Sequence, residues 1–297
     1  MTPDEFRIHG HALIDWIADY VDDVEQRPVA AMVEPGDVRS RLPEHPPTEP
    51  EPFEAVMADV ERIIVPGLTQ WQHPGFFAYF PSNTSYPSIL GELLSAGLGV
   101  QGMSWVTSPA CTEVETLMLD WMQELLDLPA GFRSTSDTGG GVIQGTASEA
   151  TLVAILSARW RATVGSVNHD GDTTKLVAYA TSQAHSSIEK GLRIAGVGTD
   201  RIRIVPHDEA FAMRAAALDE MIAADVAAGL VPFFVCSTHG TTSSMAFDPT
   251  TSPKVVRPLA MVTGRQENVR ASGWPQAVQD RARVAEGFRR IFAADPP

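Results

Sequence analysis

Apolar positions along the first 64 residues recur at helical spacing, and the pattern then changes twice before the chain ends. Phe6, Leu13, Ile14, Ile17 and Val21 share one side of a 3.6-residue repeat and predict a first helix. The stretch "VEPGDVRSRLPEHPPTEPEP", Val33 to Pro52, cannot continue it, because each proline lacks an N–H and biases its predecessor away from the α region. A second amphipathic helix is expected from Phe53 to about Ile64. Neither helix is long enough to form a core alone, so the pair either packs on its own domain or clasps a second subunit. Between Trp71 and Pro129 the aromatic residues concentrate. Phe76, Phe77, Tyr79, Phe80 and Tyr86 lie between prolines on a loop, where rings are costly to expose. They fill a core or line a pocket, and a core position is expected for any single one. From Thr112 to Leu126, Val114, Leu117, Met118, Trp121 and Leu125 form a helical stripe expected to be buried, with "CTEVE" as its Thr-initiated acidic first turn.

After Gly139 the pattern alternates. A helix from Ala147 to about Thr163 precedes a strand at Lys175–Ala180, a helix at Ser186–Ala195, a strand at Ile202–Val205, a helix at Leu218–Ala228 and a strand at Pro232–Ser237. Such alternation predicts a parallel α/β sheet, which gathers ligands at the carboxyl ends of its strands. The segments in that position are "SQAHSS" around His185 and "STHGTTSS" around Thr241. A histidine after a strand is commonly a structural hydrogen bonder; here two small, polar strand ends occur together. Just before the first helix of the series, "GGGVIQGTASEATL" offers glycines for close backbone approach and Thr and Ser for the helix start. It reads as an anion cradle made of orphan N–H groups and the Ser148 hydroxyl, or as a glycine-rich turn with an ordinary cap.

Composition removes several alternatives. The 297 residues, 44% hydrophobic and 20% charged, suffice for one large core or two modest ones. A formal charge of -15 and pI near 4.9 argue against nucleic acid, whose binding needs clustered Lys and Arg. "MTPDEFRIHGH" has no basic region followed by an apolar one, and no run of about eighteen apolar residues occurs, so a cytoplasmic protein without a membrane partner is expected. Cys111 and Cys236 have no metal or disulfide spacing and read as core thiols; no metal site is expected. The glycine stretch lacks the lysine of a P-loop and spaces its glycines G-x-G-x-x-x-G, not G-x-G-x-x-G; G-x-S-x-G and H-E-x-x-H are absent.

With these residues in view, the chain from about Thr2 to Asp248 resembles the pyridoxal-phosphate-dependent amino acid decarboxylases of the aromatic-L-amino-acid decarboxylase type. The matching stretches are "HPGFFAYFPSNTSYP", "SWVTSPACTEVE", "GGGVIQGTASEATL", "SQAHSSIEK" and "STHGTTSSMAFD". The resemblance implies an α/β protein whose large domain is of the fold-type I, PLP-dependent transferase-like kind: an incomplete, mostly parallel sheet flanked by helices, with an N-terminal helical arm. It implies that Ala147 and Ser148 hold the phosphate of pyridoxal 5'-phosphate, that His185 stacks on its ring and that Thr241 stands near it, His185 and Thr241 being the catalytic candidates. Trp71, Tyr79, Phe80, Pro81 and Ser82 match the substrate pocket of the family. The resemblance implies a homodimer acting on a small L-amino acid, and the aromatic-rich loop leans toward an aromatic one. The expected division is an arm and connector over 1–80, a partial cofactor-binding domain over 81–248 and a divergent tail over 249–297.

The likeness stops at Asp248. The family's aspartate strand, like H-V-D-A-A, and lysine loop, like N-x-H-K-W, are not found beyond it. The only lysines are Lys175, Lys190 and Lys254, and none matches the Schiff-base lysine. The last 49 residues hold eight Lys and Arg against four Asp and Glu, whereas the first 248 hold 14 against 33. That reversal reads as a frameshifted or truncated end, or as genuine divergence in which Gln276–Ala294 forms a helix. Two functions are therefore expected: a decarboxylase-family chain that is inactive or nearly so by itself, or a non-catalytic remnant that binds phosphate or dimerises.

Overall fold

The computed structural model describes residues 1–79, 84–126, 128–137 and 139–249, together with the backbone of a strand at 260–262. These divide into two units, Met1–Gly99 and Val100–Pro297. In the first, Thr2 caps α1 (Pro3–Asp23) through a capping box with Glu5, and Pro3 occupies the first helical position, where its missing N–H costs nothing. The proline-rich connector holds only the short α2 (Asp37–Ser40). Helix α3 (Phe53–Asp59) continues through a π turn, Val60–Ile64, into a 3-10 turn at Val65–Gly67, so the second predicted helix is present but changes its winding. Tyr86, expected on a loop, instead opens α4 (Tyr86–Leu98), which Ser85 caps and Gly99 ends at φ +60°.

The second unit opens with α5 (Pro109–Leu125), capped by Ser108 three residues ahead of the expected start, so "CTEVE" is not its first turn. Its apolar stripe is not buried in this chain: Val114 is 57% exposed and Leu117 46%. The anticipated core aromatics differ in the same way, since Phe77, Tyr79 and Tyr86 are exposed; Phe80 lies outside the described residues. The alternating elements follow closely, with one short helix, α7, that was not expected: α6 (Ala147–Ala162), α7 (Val167–Asp170), β1 (Leu176–Ala180), α8 (Ser187–Ile194), β2 (Ile202–Ile204), α9 (Ala215–Ala227) and β3 (Val231–Cys236). A further strand, β4 (Ala260–Val262), lies within the tail for which no strand was expected; the proposed helix Gln276–Ala294 lies outside the described residues.

All the strand pairs are parallel, in the order β2-β1-β3-β4. Every residue of β1 is buried, as a parallel strand covered on both faces requires. Leu176, Ala178, Ala180, Phe234 and Cys236 pack with Ile155 of α6 and Ile188 and Leu192 of α8. Val177, Tyr179 and Val235 point the other way, onto Leu218 and Met221 of α9. Gly191 lets α8 approach α6 closely, since a Cβ there would stand 2.8 Å from Ile155 Cδ1. Cys236 belongs to this core, and burial pushes its thiol up to about 11; Cys111 is half-buried.

Candidate cofactor site

The start of α6 has the form of an anion cradle. Thr146 is the N-cap: its Oγ1 accepts the Glu149 N–H at 3.1 Å, and Glu149 Oε2 accepts the Thr146 N–H at 3.0 Å. The Ala150 N–H turns back to Thr146 O at 3.0 Å. The first-turn donors outside this set are the N–H groups of Ala147 and Ser148, and both residues are exposed. Two orphan N–H groups, a neighbouring hydroxyl and the positive end of a 16-residue helix suit a phosphate.

The direction of α6 decides what the cradle faces. Gly191 in the middle of α8 lies against Leu152 and Ile155, while Arg159, further along α6, donates from Nη1 to Ala195 O at the end of α8. The two helices therefore run the same way. Because α8 starts just after β1, the N-terminus of α6 lies at the carboxyl edge of the sheet. His185 stands at that edge, five residues beyond Ala180. Its Nδ1 accepts the Ser187 N–H at 3.2 Å and lies 3.0 Å from Ser187 Oγ. A ring nitrogen that accepts a backbone N–H carries no proton, so the neutral imidazole bears its proton on Nε2.

Thr241 occupies the loop after the adjacent strand β3, but its side chain faces into that loop. It is fully buried, accepts the Ala246 N–H at 3.0 Å and lies 2.7 Å from Ser244 Oγ. The loop is closed by Asp248, which sequence reasoning treated only as the end of a motif. The buried carboxylate accepts the N–H of Met213 at 2.7 Å and of Thr238 at 2.9 Å, joining the β3 loop to the approach to α9. Burial pushes its carboxyl above the usual range, against those two hydrogen bonds and His239. The signal available in the sequence was a lone aspartate after an apolar pair, which does not reveal partners 10 and 35 residues away.

In the first unit, Trp71 lies between Phe76, with centroids 4.9 Å apart, and Tyr79, stacked at 5.8 Å. Tyr79 has φ +55°, a conformation that L side chains rarely adopt and that costs about 1 kcal/mol. Phe80, Pro81 and Ser82 lie outside the described residues, as does Lys254. Lys175 precedes β1 and so sits at the amino edge, a strand length of roughly 17 Å from the edge that carries His185. Lys190 is exposed on α8. Among the described residues no cluster of His, Cys, Asp or Glu could hold a metal ion, and no helix is long and apolar enough to cross a membrane.

A parallel sheet with helices on both faces, a helix N-terminus at its carboxyl edge and an imidazole after the neighbouring strand define the fold-type I class of pyridoxal-phosphate proteins, and the donor set at Ala147 and Ser148 fits the cofactor's phosphate. Residues 35–257 match the pyridoxal-dependent decarboxylase conserved domain, and the chain belongs to that family. It is 49% identical over 255 residues to the aromatic-L-amino-acid decarboxylase of Bos taurus, a match covering 84% of this chain and 52% of that protein. It is 47% identical over 251 residues to phenylacetaldehyde synthase of Arabidopsis thaliana, covering 84% and 51%. The crystal structure of Catharanthus roseus tryptophan decarboxylase in complex with L-tryptophan superimposes with a TM-score of 0.83 at 36% identity, over 98% of this chain and 62% of that one. The chain spans about half the length of the curated relatives it matches.

Proposed function

We propose that this chain forms the phosphate-holding and ring-facing side of a pyridoxal-phosphate decarboxylase that converts aromatic L-amino acids to amines and CO2. The observation that carries the reading is the pair of first-turn N–H groups of α6 at the same sheet edge as His185, a histidine whose tautomer is fixed. In this reading Ala147 and Ser148 bind the phosphate through N–H groups and a hydroxyl. His185, held through Nδ1 by the Ser187 N–H, would stack on the ring. Thr241, its hydroxyl already engaged with Ser244 and Ala246, would act by shaping the loop after β3 near the cofactor. Trp71, Tyr79, Phe80, Pro81 and Ser82 form the side that receives the substrate ring. When bound, the cofactor supplies the sink for the electron pair left as CO2 departs. Residues 1–80 serve as the arm, 81–248 hold the cofactor, and 249–297 carry no assigned role. The chain works as a homodimer in the cytoplasm. The exposed leucines of α4 and the stripe on α5 support a second copy as partner.

A non-catalytic, cofactor-binding chain is the second reading, favoured by Lys175, which stands at the opposite edge of the sheet from His185, and by the absence of a lysine matching the family's Schiff-base position. Titration of the full chain with pyridoxal 5'-phosphate tests the phosphate site that both readings share, and lysine trapping with CO2 release tests whether the chain is a working enzyme. Weak, non-covalent binding is expected, falling about tenfold or more in Ser148→Asp, which sets a like charge against the phosphate. Borohydride should leave no stoichiometric adduct on any lysine, and CO2 release from aromatic amino acids should be negligible. Unchanged affinity in Ser148→Asp removes the cradle. Trapping near one per chain at Lys254, with CO2 release abolished by Lys254→Ala, would establish a working enzyme with a relocated lysine.

A further inference from the structure

The glycine stretch reaches α6 along a track laid down by α5. Arg133 donates from Nε to Gln123 Oε1 at 3.0 Å and from Nη2 to Glu124 at 2.9 Å. One residue on, Ser134 gives its N–H and its hydroxyl to Asp120 at 2.8 and 2.6 Å, which holds that carboxyl below the usual range. Gly141 then packs on Leu119, where a Cβ would stand 3.3 Å from Cδ1. Finally Ile143 donates its N–H to Glu115 Oε1 at 2.6 Å. As the loop advances from 133 to 143, its anchors step back along α5 from 124 to 115, so the segment runs antiparallel to the helix. Positions 115, 119, 120 and 123 share one face of α5, opposite Val114, Leu117, Met118, Trp121 and Leu125. At Gly139 a side chain has no space, since a Cβ would overlap Arg133 O, Ser136 Oγ and Gly131 O.

We propose that Glu115 is a positioning residue for the phosphate cradle: it fixes the register in which the glycine loop delivers the first turn of α6. Glu115 is the last anchor before the helix. Only Gln144 and Gly145 separate Ile143 from the cap Thr146, a reach of about 10 Å at full extension, so the point at which Ile143 is held limits where Ala147 and Ser148 can stand. An ionised carboxylate accepting a backbone N–H is a strong, directional hold. It also occupies the Ile143 N–H, which is then not a donor to the anion. The proposal rests on the reading of that helix start as the phosphate site, and it adds a residue that touches no part of the cofactor.

The test uses the full chain with Glu115→Ala, which removes the acceptor, and Glu115→Gln, which retains an oxygen at the same reach. Affinities for pyridoxal 5'-phosphate and for pyridoxal are measured by fluorescence titration, and exchange of the Ile143 amide by NMR. Glu115→Ala should lose about tenfold in affinity for the phosphorylated compound, keep its affinity for pyridoxal, and exchange the Ile143 amide at least tenfold faster. Glu115→Gln should restore both to within about threefold. A residue that only supports the fold would weaken both ligands equally and show no such rescue. Should Glu115→Ala not fold, Glu115→Asp, which withdraws the acceptor by one methylene, takes its place with the same expected pattern. A wild-type chain that binds pyridoxal 5'-phosphate no more tightly than pyridoxal rejects the phosphate reading and the proposal with it. Wild-type preference for the phosphate that persists in Glu115→Ala overturns the role of Glu115 alone.

Discussion

In the second unit every residue of β1 is buried, whereas in the first none of the 21 residues of α1 and none of the 13 of α4 is. The contrast is not one of composition. Helix α4, "YPSILGELLSAGL", is apolar enough for a buried helix, yet Leu90, Leu94 and Leu98 are 52%, 64% and 65% exposed. In the second unit the sheet supplies its own covering helices, and two apolar clusters close on opposite faces of the same strands. In the first, a small buried set, Val24, Ile63, Val65 and Gln70, ties the segments together, with Tyr20 donating to Gln70 and Trp16 to Glu61. Isolated helices are marginal in water, so the first unit depends on burial that it does not provide for itself.

The largest effect should come from the centre of the sheet. Phe234 is fully buried between β1 and β4 partners, and Phe234→Ala removes its ring from a core that can collapse only partly. A loss of about 3–5 kcal/mol is expected in urea unfolding followed by circular dichroism. A loss below about 1 kcal/mol would show that the second unit is not the self-sufficient half.

A smaller effect is expected at the polar tie within the same unit. Tyr179 on β1 donates to Asp225 Oδ2 at 2.8 Å, and Arg203 beyond β1 on β2 grips the same carboxylate through Nε and Nη2, the latter at 2.8 Å. Burial pushes the Asp225 carboxyl up, but the hydrogen bonds from Arg203 and Tyr179 outweigh it and leave the group below its ordinary value. Tyr179→Phe should cost about 1–3 kcal/mol at neutral pH. A carboxyl with a lowered folded value stabilises above its unfolded value, about 3.9, and loses that contribution as pH falls through the folded one. Wild type should therefore lose more stability than Tyr179→Phe below about pH 4. Asp248, raised by burial, contributes with the opposite sign, present below its unfolded value and lost as pH rises, and it is common to both proteins. Parallel acid profiles for the two would rule out the coupling.

What the sequence makes legible follows the same division. Period and length locate the strands and helices from 147 to 236 to within a few residues, because β1 and β3 are buried by elements near them in the chain. The carboxyl-edge candidates His185 and the start of α6 follow from that alternation. The aromatic loop and the α5 stripe do not, since apolar spacing states that a face needs cover without stating that this chain supplies it. The polar ties are also hidden: Glu115 with Ile143 and Asp248 with Met213 join residues 28 and 35 apart, and spacing alone carries no sign of either. Ser148, expected to contribute at the helix start, remains there, but the cap itself is Thr146, two residues earlier than the hydroxyl that drew attention.

The smallest effect on folding, and the one that most directly tests the contrast, should follow removal of residues 1–64. None of the buried residues of the two sheet clusters comes from this stretch, so the melting of the sheet, followed by circular dichroism, should shift by no more than a few degrees. Assembly should change instead. If α1 and α3 clasp a second copy, light scattering of the shortened chain should give the mass of a single shortened chain where the intact chain gives that of a dimer, and dye binding should report newly exposed apolar surface. The two readouts must move independently, because a self-sufficient sheet and a partner-dependent arm are different statements. An unchanged mass with unchanged melting would show that the arm neither assembles nor supports the chain. Loss of the sheet transition on deletion would show that the arm is part of the fold of the second unit, and the contrast between the two halves would have to be withdrawn.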